Sequence, residues 1–284
     1  VLRRIPGRSH DGRRRGAAAA AVILPPVINL YERPDHAAPV VSQATLGTAV
    51  GILETLRGWW LAETPDRYRG WVHARALRRL PARAVWPRGV PLHAANLLVN
   101  VYRERDVTSA APILVAPLLS RLEAVREAGD WTGVRLPDGR GGWVQTSDVT
   151  RDAATAAGDD GAAATALRFV GLPYLWGGTT PFGLDCSGLA QLVYRLHGYL
   201  LPRDADLQHA DPNLVEVARD AIRAGDLVFF GPGAGSVTHV GIALGGDAFL
   251  SATTYRSPVV RRDGLDDPYW AGLYRGARRL RDDR

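Results

Sequence analysis

Cys186 is the only cysteine in the 284-residue sequence, and its neighbours are those a reactive thiol needs. The segment Pro173-Tyr174-Leu175-Trp176-Gly177-Gly178 leads through Pro181-Phe182-Gly183 to Leu184-Asp185-Cys186-Ser187-Gly188-Leu189. From Gly188 to His197, Leu189, Leu192, Val193 and Leu196 recur at helical spacing, which sets Cys186 at a helix N-terminus. Free backbone N–H groups and the helix dipole favour a thiolate there. The polar flanks Asp185 and Ser187 and the Gly-rich approach argue against an inert core thiol. One cysteine supports neither an intramolecular disulfide nor a thiolate metal cage.

A thiol nucleophile needs a base within hydrogen-bond reach, and seven histidines are available. His197 lies on the same helix, roughly 16 Å along its axis, and is too far. His209 sits in a polar stretch before Asp211-Pro212 and reads as exposed. His10, His36, His73 and His93 fall in the N-terminal tail or in repeated segments, where a structural role is the default. His239 opens the apolar run Val240-Gly241-Ile242-Ala243-Leu244 after the Ala224-Gly225-Asp226 turn and a Gly-rich loop. A strand start packed across the cysteine-bearing helix brings imidazole and thiol together.

The elements that must position this pair differ along the chain. Two N-terminal stretches run in parallel about 71 residues apart. Asn29-Leu30-Tyr31, Ala38-Pro39-Val40, Leu53-Glu54, Trp60 and Gly70-Trp71-Val72 recur as Asn100-Val101-Tyr102, Ala111-Pro112-Ile113, Leu122-Glu123, Trp131 and Gly142-Trp143-Val144. Short apolar runs broken by turns such as Thr64-Pro65-Asp66 and Pro137-Asp138-Gly139 predict two small all-β barrels, each with its late tryptophan in the core. They span about 22–80 and 84–150, behind a basic tail over 1–21. An Ala/Gly/Asp-rich linker over 151–164 leads into 165–284, where a helix precedes buried strands at Leu227-Val228-Phe229-Phe230 and Val240 to Leu244, an α+β order.

The net charge of +6 invites a nucleic-acid reading, but +5 of it lies in the first sixteen residues, on Arg3, Arg4, Arg8, Arg13, Arg14 and Arg15 against Asp11. The body carries no basic groove interleaved with aromatics, so no nucleic-acid partner is expected. No run approaches about 18 uncharged apolar residues, so no membrane span is expected. The basic start followed by Ala17 to Leu24 faintly resembles an export signal, but its apolar part is short and meets Pro25-Pro26.

The segments Asp185-Cys186-Ser187-Gly188, Arg203-Asp204-Ala205, Gly225-Asp226-Leu227-Val228-Phe229-Phe230 and His239-Val240-Gly241-Ile242 resemble the NlpC-type peptidases. The repeats resemble the paired bacterial SH3-like domains that often accompany cell-wall hydrolases. Together they resemble γ-D-glutamyl-L-diamino-acid endopeptidases. The resemblance implies a multidomain chain: two SH3-like barrels followed by an α+β papain-like cysteine peptidase. It implies hydrolysis of peptidoglycan stem peptides through a thioester, without metal or cofactor. Cys186 is then the nucleophile and His239 the base, with the Cys186 N–H holding the oxyanion and Tyr174, Asp185 and Ser187 lining the cleft. A third polar residue, usually His, lies twelve positions after the base in that family; here the position is Ser251, whose hydroxyl is shorter and uncharged.

In the related endopeptidases the first SH3-like domain walls off one end of the cleft, so the peptide must begin with a free amine. The matching stretches are Tyr31-Glu32-Arg33 and Arg67-Tyr68-Arg69-Gly70-Trp71, in which the Glu32 carboxylate and the Tyr68 phenol suit a buried ammonium. That reading expects free murein peptides as substrates and a cytoplasmic location, with export to the envelope as the alternative. The competing readings are a wall-binding protein with a degenerate peptidase domain, and an amidase or acyltransferase that uses the same Cys–His pair.

Overall fold

The computed structural model describes residues 19–154, 161–233 and 235–281. The basic tail as far as residue 18, with His10, and residues 155–160 of the expected linker lie outside the described residues.

In the first unit, β1 (Ala19–Ile23), β2 (Val27–Tyr31), β3 (Val40–Thr45), β4 (Ala49–Leu56), β5 (Trp59–Glu63), β6 (Arg69–His73) and β7 (Leu77–Arg79) form one antiparallel sheet. Their order is β3-β2-β6-β5-β4-β1-β7. β1 begins within the expected tail and pairs Ala19 with Ile52, so the apolar run after the arginines is a strand. Ile23, Leu30, Val50, Ala62, Val72 and Leu77, drawn from six strands, share one core.

The second unit contains β8 (Pro91–Ala94), β9 (Leu98–Val101), β10 (Leu114–Pro117), β11 (Arg121–Ala128), β12 (Trp131–Arg135), β13 (Gly141–Gln145) and β14 (Val149–Thr150). Its sheet order β13-β12-β11-β8-β14, its β9–β10 pair and its Tyr102–Trp143 bridge repeat the pairings β6-β5-β4-β1-β7, β2–β3 and Tyr31–Trp71. Even the bulge in β4 at Ile52/Glu54 recurs in β11 at Ala124/Arg126. Of the late tryptophans, Trp71 is buried and Trp143 only half-buried. Strand alternation turns Val72 and Val144 inward and their Trp neighbours to the other face, where Trp143 lies under the guanidiniums of Arg105 and Arg126.

The C-terminal unit comprises α1 (Ala162–Leu167), the short pair β15 (Thr179–Thr180) and β16 (Gly183–Leu184), α2 (Cys186–Leu196), α3 (Ala205–His209), β17 (Leu214–Val217), β18 (Leu227–Phe230), β19 (His239–Gly245), β20 (Ala248–Thr253), β21 (Val259–Gly264), α4 (Pro268–Leu273) and β22 (Tyr274–Leu280). Six strands form an antiparallel sheet in the order β17-β22-β18-β19-β20-β21. Leu189, Leu192, Val193 and Leu196 of α2 pack with Val240, Ile242, Leu250 and Ala252 on one face of it. Burying side chains of this size stabilises by about 1.5–3 kcal/mol each, enough to anchor the helix across the sheet. Phe230, Ala243, Phe249 and Trp270 form a separate core on the opposite face. Among the described residues no helix is long and apolar enough to cross a membrane.

Candidate active site

Cys186 is the first residue of α2, and Asp185 in extended conformation caps it. Asp185 Oδ1 accepts from the Gly188 N–H at 2.7 Å and Oδ2 from the Gly177 N–H at 2.9 Å. Arg203 closes on the same carboxylate with bonds of 2.9 and 2.6 Å, and also donates to Ser187 Oγ at 2.9 Å and Ser42 Oγ at 3.1 Å. Asp185 and Ser187 are both buried, and their polar atoms fasten the first turn of α2 to the loop before it. Glycine is required at position 188 because a Cβ there would stand 2.1 Å from the Gly178 carbonyl oxygen.

The helix brings the sulfur to the start of β19. The Val240 N–H, one residue beyond His239, donates to it, as does the Ser187 N–H. Burial nevertheless pushes the Cys186 thiol up to about 12, with the Asp185 carboxylate adding to the rise and Arg203 opposing it. Desolvation therefore acts against the thiolate that the helix start and the N–H groups favour. Burial likewise brings His239 down to about 4, against a smaller opposing effect of Asp185. At neutral pH the pair is a thiol beside a neutral imidazole, the state in which a base accepts the proton as the sulfur attacks.

Ser251 lies on β20, next to β19. Continuing the Ile242–Leu250 register sets it opposite Gly241, on the same face as His239 and diagonal to it. No hydrogen bond joins the two: His239 Nε2 and Ser251 Oγ are both buried without a protein partner. The imidazole is instead stacked on Trp270, with centroids 5.0 Å apart and planes 28° apart. Trp270 carried no signal in the sequence beyond being an aromatic near the end of the chain.

The first unit reaches this site directly. Gln43 Oε1 accepts from the Thr179 N–H at 3.1 Å, Asp66 Oδ2 from Gln191 at 2.9 Å, and the Tyr68 hydroxyl donates to Asp204 Oδ2 at 2.9 Å. Burial raises Asp204 above the usual carboxylate range, opposed by Arg203 and by the Tyr68 bond. Asp204 lies in a segment quoted for the resemblance, yet only the fold joins it to Tyr68. Tyr174 is held by its N–H to the Pro258 carbonyl at 2.8 Å. Burial raises its phenol, with the charges of Cys186 and Asp185 adding to the rise and Arg203 opposing it. Glu32 is half-buried and makes no side-chain hydrogen bond to Tyr68 or Asp204. His209 is not exposed; its ring meets Phe229 edge-on at 5.0 Å. His197 pairs with Thr165 at 2.9 Å, away from the sulfur.

A helix-start cysteine set against a strand-start histidine, beside a capped and ion-paired turn, is the arrangement of a cysteine hydrolase. Residues 171–279 match the NlpC/P60 family and residues 26–78 the Bacterial SH3 domain. The chain is 28% identical over 259 residues to dipeptidyl-peptidase 6 of Lysinibacillus sphaericus, covering 86% of this chain and 95% of the relative. It is 40% identical over 154 residues to gamma-D-glutamyl-L-lysine dipeptidyl-peptidase of Bacillus cereus, covering 51% of this chain and 45% of that one. A crystal structure of an NlpC/P60 family protein from Bacillus cereus superposes with a TM-score of 0.79 at 25% identity, covering 92% of this chain and 99% of the other. The chain carries an NlpC/P60 cysteine peptidase domain over residues 171–279, with a bacterial SH3 domain over residues 26–78 in front of it.

Proposed function

We propose that this protein is a cysteine endopeptidase that hydrolyses the γ-D-glutamyl–diamino acid bond of peptidoglycan stem peptides whose N-terminal L-Ala is free. Cys186 attacks the γ-carbonyl as His239 takes its proton. The oxyanion is held by the Cys186 N–H and the Tyr174 phenol, and His239 returns the proton to the leaving amine. Water then cleaves the thioester by the same route. The domain reading behind this is two SH3-like barrels, the second inferred from its repeated strand pairing, and a papain-like peptidase unit.

The observation that carries the specificity is the Tyr68–Asp204 bond across the contact between the first unit and the peptidase domain. Burial has left Asp204 short of counter-charge, while the double bond pair of Arg203 is committed to Asp185. A substrate ammonium supplies that missing charge, and an acylated nitrogen does not. Glu32 of the first unit is the further carboxylate proposed to meet the ammonium. A free-amine requirement suits salvage of released peptides, in keeping with a cytoplasmic location.

The test compares cleavage of L-Ala-γ-D-Glu-diaminopimelate with its N-acetylated form, in wild type and in Tyr68→Ala. The wild type should strongly prefer the free amine, and Tyr68→Ala should narrow the preference. Equal wild-type rates on the two peptides would show an open site and overturn the reading.

A further inference from the structure

The geometry points to Trp270 as the positioning residue of His239: the indole face, in place of a hydrogen-bond acceptor at position 251, holds the imidazole in the plane from which it takes the Cys186 proton. This rests on the reading of His239 as the base.

Three observations carry it. The ring of His239 has no protein hydrogen-bond partner at Nε2, and Ser251 Oγ is itself unpartnered, so no side chain or carbonyl at that edge sets the rotation of the imidazole. The indole lies nearly parallel to the ring at 5.0 Å. The indole itself cannot turn, being 2% exposed and clamped by Phe230 at 4.9 Å, Phe249 at 5.2 Å, Tyr269 at 4.9 Å and Tyr255 at 5.6 Å. Its backbone is set by the start of α4, where Asp267 caps the Tyr269 N–H at 2.9 Å and Pro268 fills the first turn. Trp270 Nε1 is also buried without a partner, so packing alone holds the indole.

The stack also suits the chemistry. As the sulfur–carbon bond forms, the thiol proton passes to the imidazole, and the resulting imidazolium lies over the negative face of the indole. Asp185 is the charged side chain that acts on the ring. Phe230 and Trp270 on the opposite face carry no charge, and Ser251 and Thr253 of β20 are neutral.

The experiment measures kcat, KM and the pH profile of Trp270→Phe, Trp270→Leu and the control Val217→Ala, a residue of the same core on the edge strand β17. Trp270→Phe should keep kcat within about threefold, and Trp270→Leu should lower it by roughly tenfold at unchanged KM. The acid limb should move to lower pH in Trp270→Leu, because the imidazolium has lost its π partner. Val217→Ala should lower Tm without moving kcat or the profile. The proposal is overturned if Trp270→Leu behaves like Val217→Ala, if Trp270→Phe is as impaired as Trp270→Leu, or if the acid limb moves upward as in a site merely opened to water. Should Trp270→Leu not fold, NMR of Cys186→Ala protein decides: Trp270→Phe should reduce the ring-current displacement of the His239 resonances and lower the pH of its titration, and unchanged values overturn the proposal. Full turnover by His239→Ala removes the base reading itself, a separate outcome from any of these.

Discussion

Removing the Arg203 guanidinium should unlock the active-site helix. Arg203 is 1% exposed, and its partner Asp185 is buried as well. In Arg203→Ala the Asp185 carboxylate keeps its bonds to the Gly188 and Gly177 N–H groups but loses both guanidinium bonds. It becomes a buried charge without a counter-ion, which costs about 3–5 kcal/mol. The bond to Ser42 that ties the first unit to the peptidase domain is lost too. The apparent Tm should fall on the order of 10 °C. Turnover should fall with it, since the first turn of α2 carries the sulfur. The double variant Asp185→Asn/Arg203→Met removes both charges, keeps an N-cap side chain and should recover most of the stability. Differential scanning calorimetry of the three proteins provides the measurement. A loss below about 1 kcal/mol in Arg203→Ala, the range of an exposed pair, would refute the argument. So would a double variant no more stable than the single one.

With burial holding the Cys186 thiol up at about 12, alkylation by iodoacetamide should rise about tenfold per pH unit through neutrality, because only the thiolate reacts. A rate that levels off by about pH 6 would show that the thiolate is already present. Cys186→Ala should abolish turnover at an unchanged Tm. Ser251→Ala should stay within about fivefold of wild type, whereas His239→Ala loses about 10²–10⁴-fold, the worth of general base catalysis. Equal losses in steady-state assays of the two would restore Ser251 as a working third member.

Much of the site was legible because it is local. The helix start at Cys186 follows from apolar spacing over a dozen residues, and the strand at His239 from an unbroken apolar run. The two β units followed from a repeat that keeps order and spacing, which no side-chain geometry was needed to see. The glycine at position 188 can likewise be read as a close approach, although what it approaches, the Gly178 carbonyl, cannot.

Other features depended on pairings distant in sequence. That Arg203, eighteen positions from Asp185, hydrogen-bonds both Asp185 and Ser187 is visible only in the fold. The protonation of Cys186 turned on desolvation, which depends on everything packed around the sulfur, whereas the sequence displays only the helix end that opposes it. Trp143 seemed a natural core residue until the register, set by bulges and pairing, turned Val144 inward. Tyr68 and Asp204 are 136 residues apart, and Trp270 comes from a different element of the chain than the histidine it stacks on. By itself the sequence determined which residues are chemically able and which short elements carry them, since periodicity and capping act within a few turns. Only the tertiary structure decided which of them meet, how far each is removed from water and which proton each holds, because those energies are set by neighbours that chain order does not reveal.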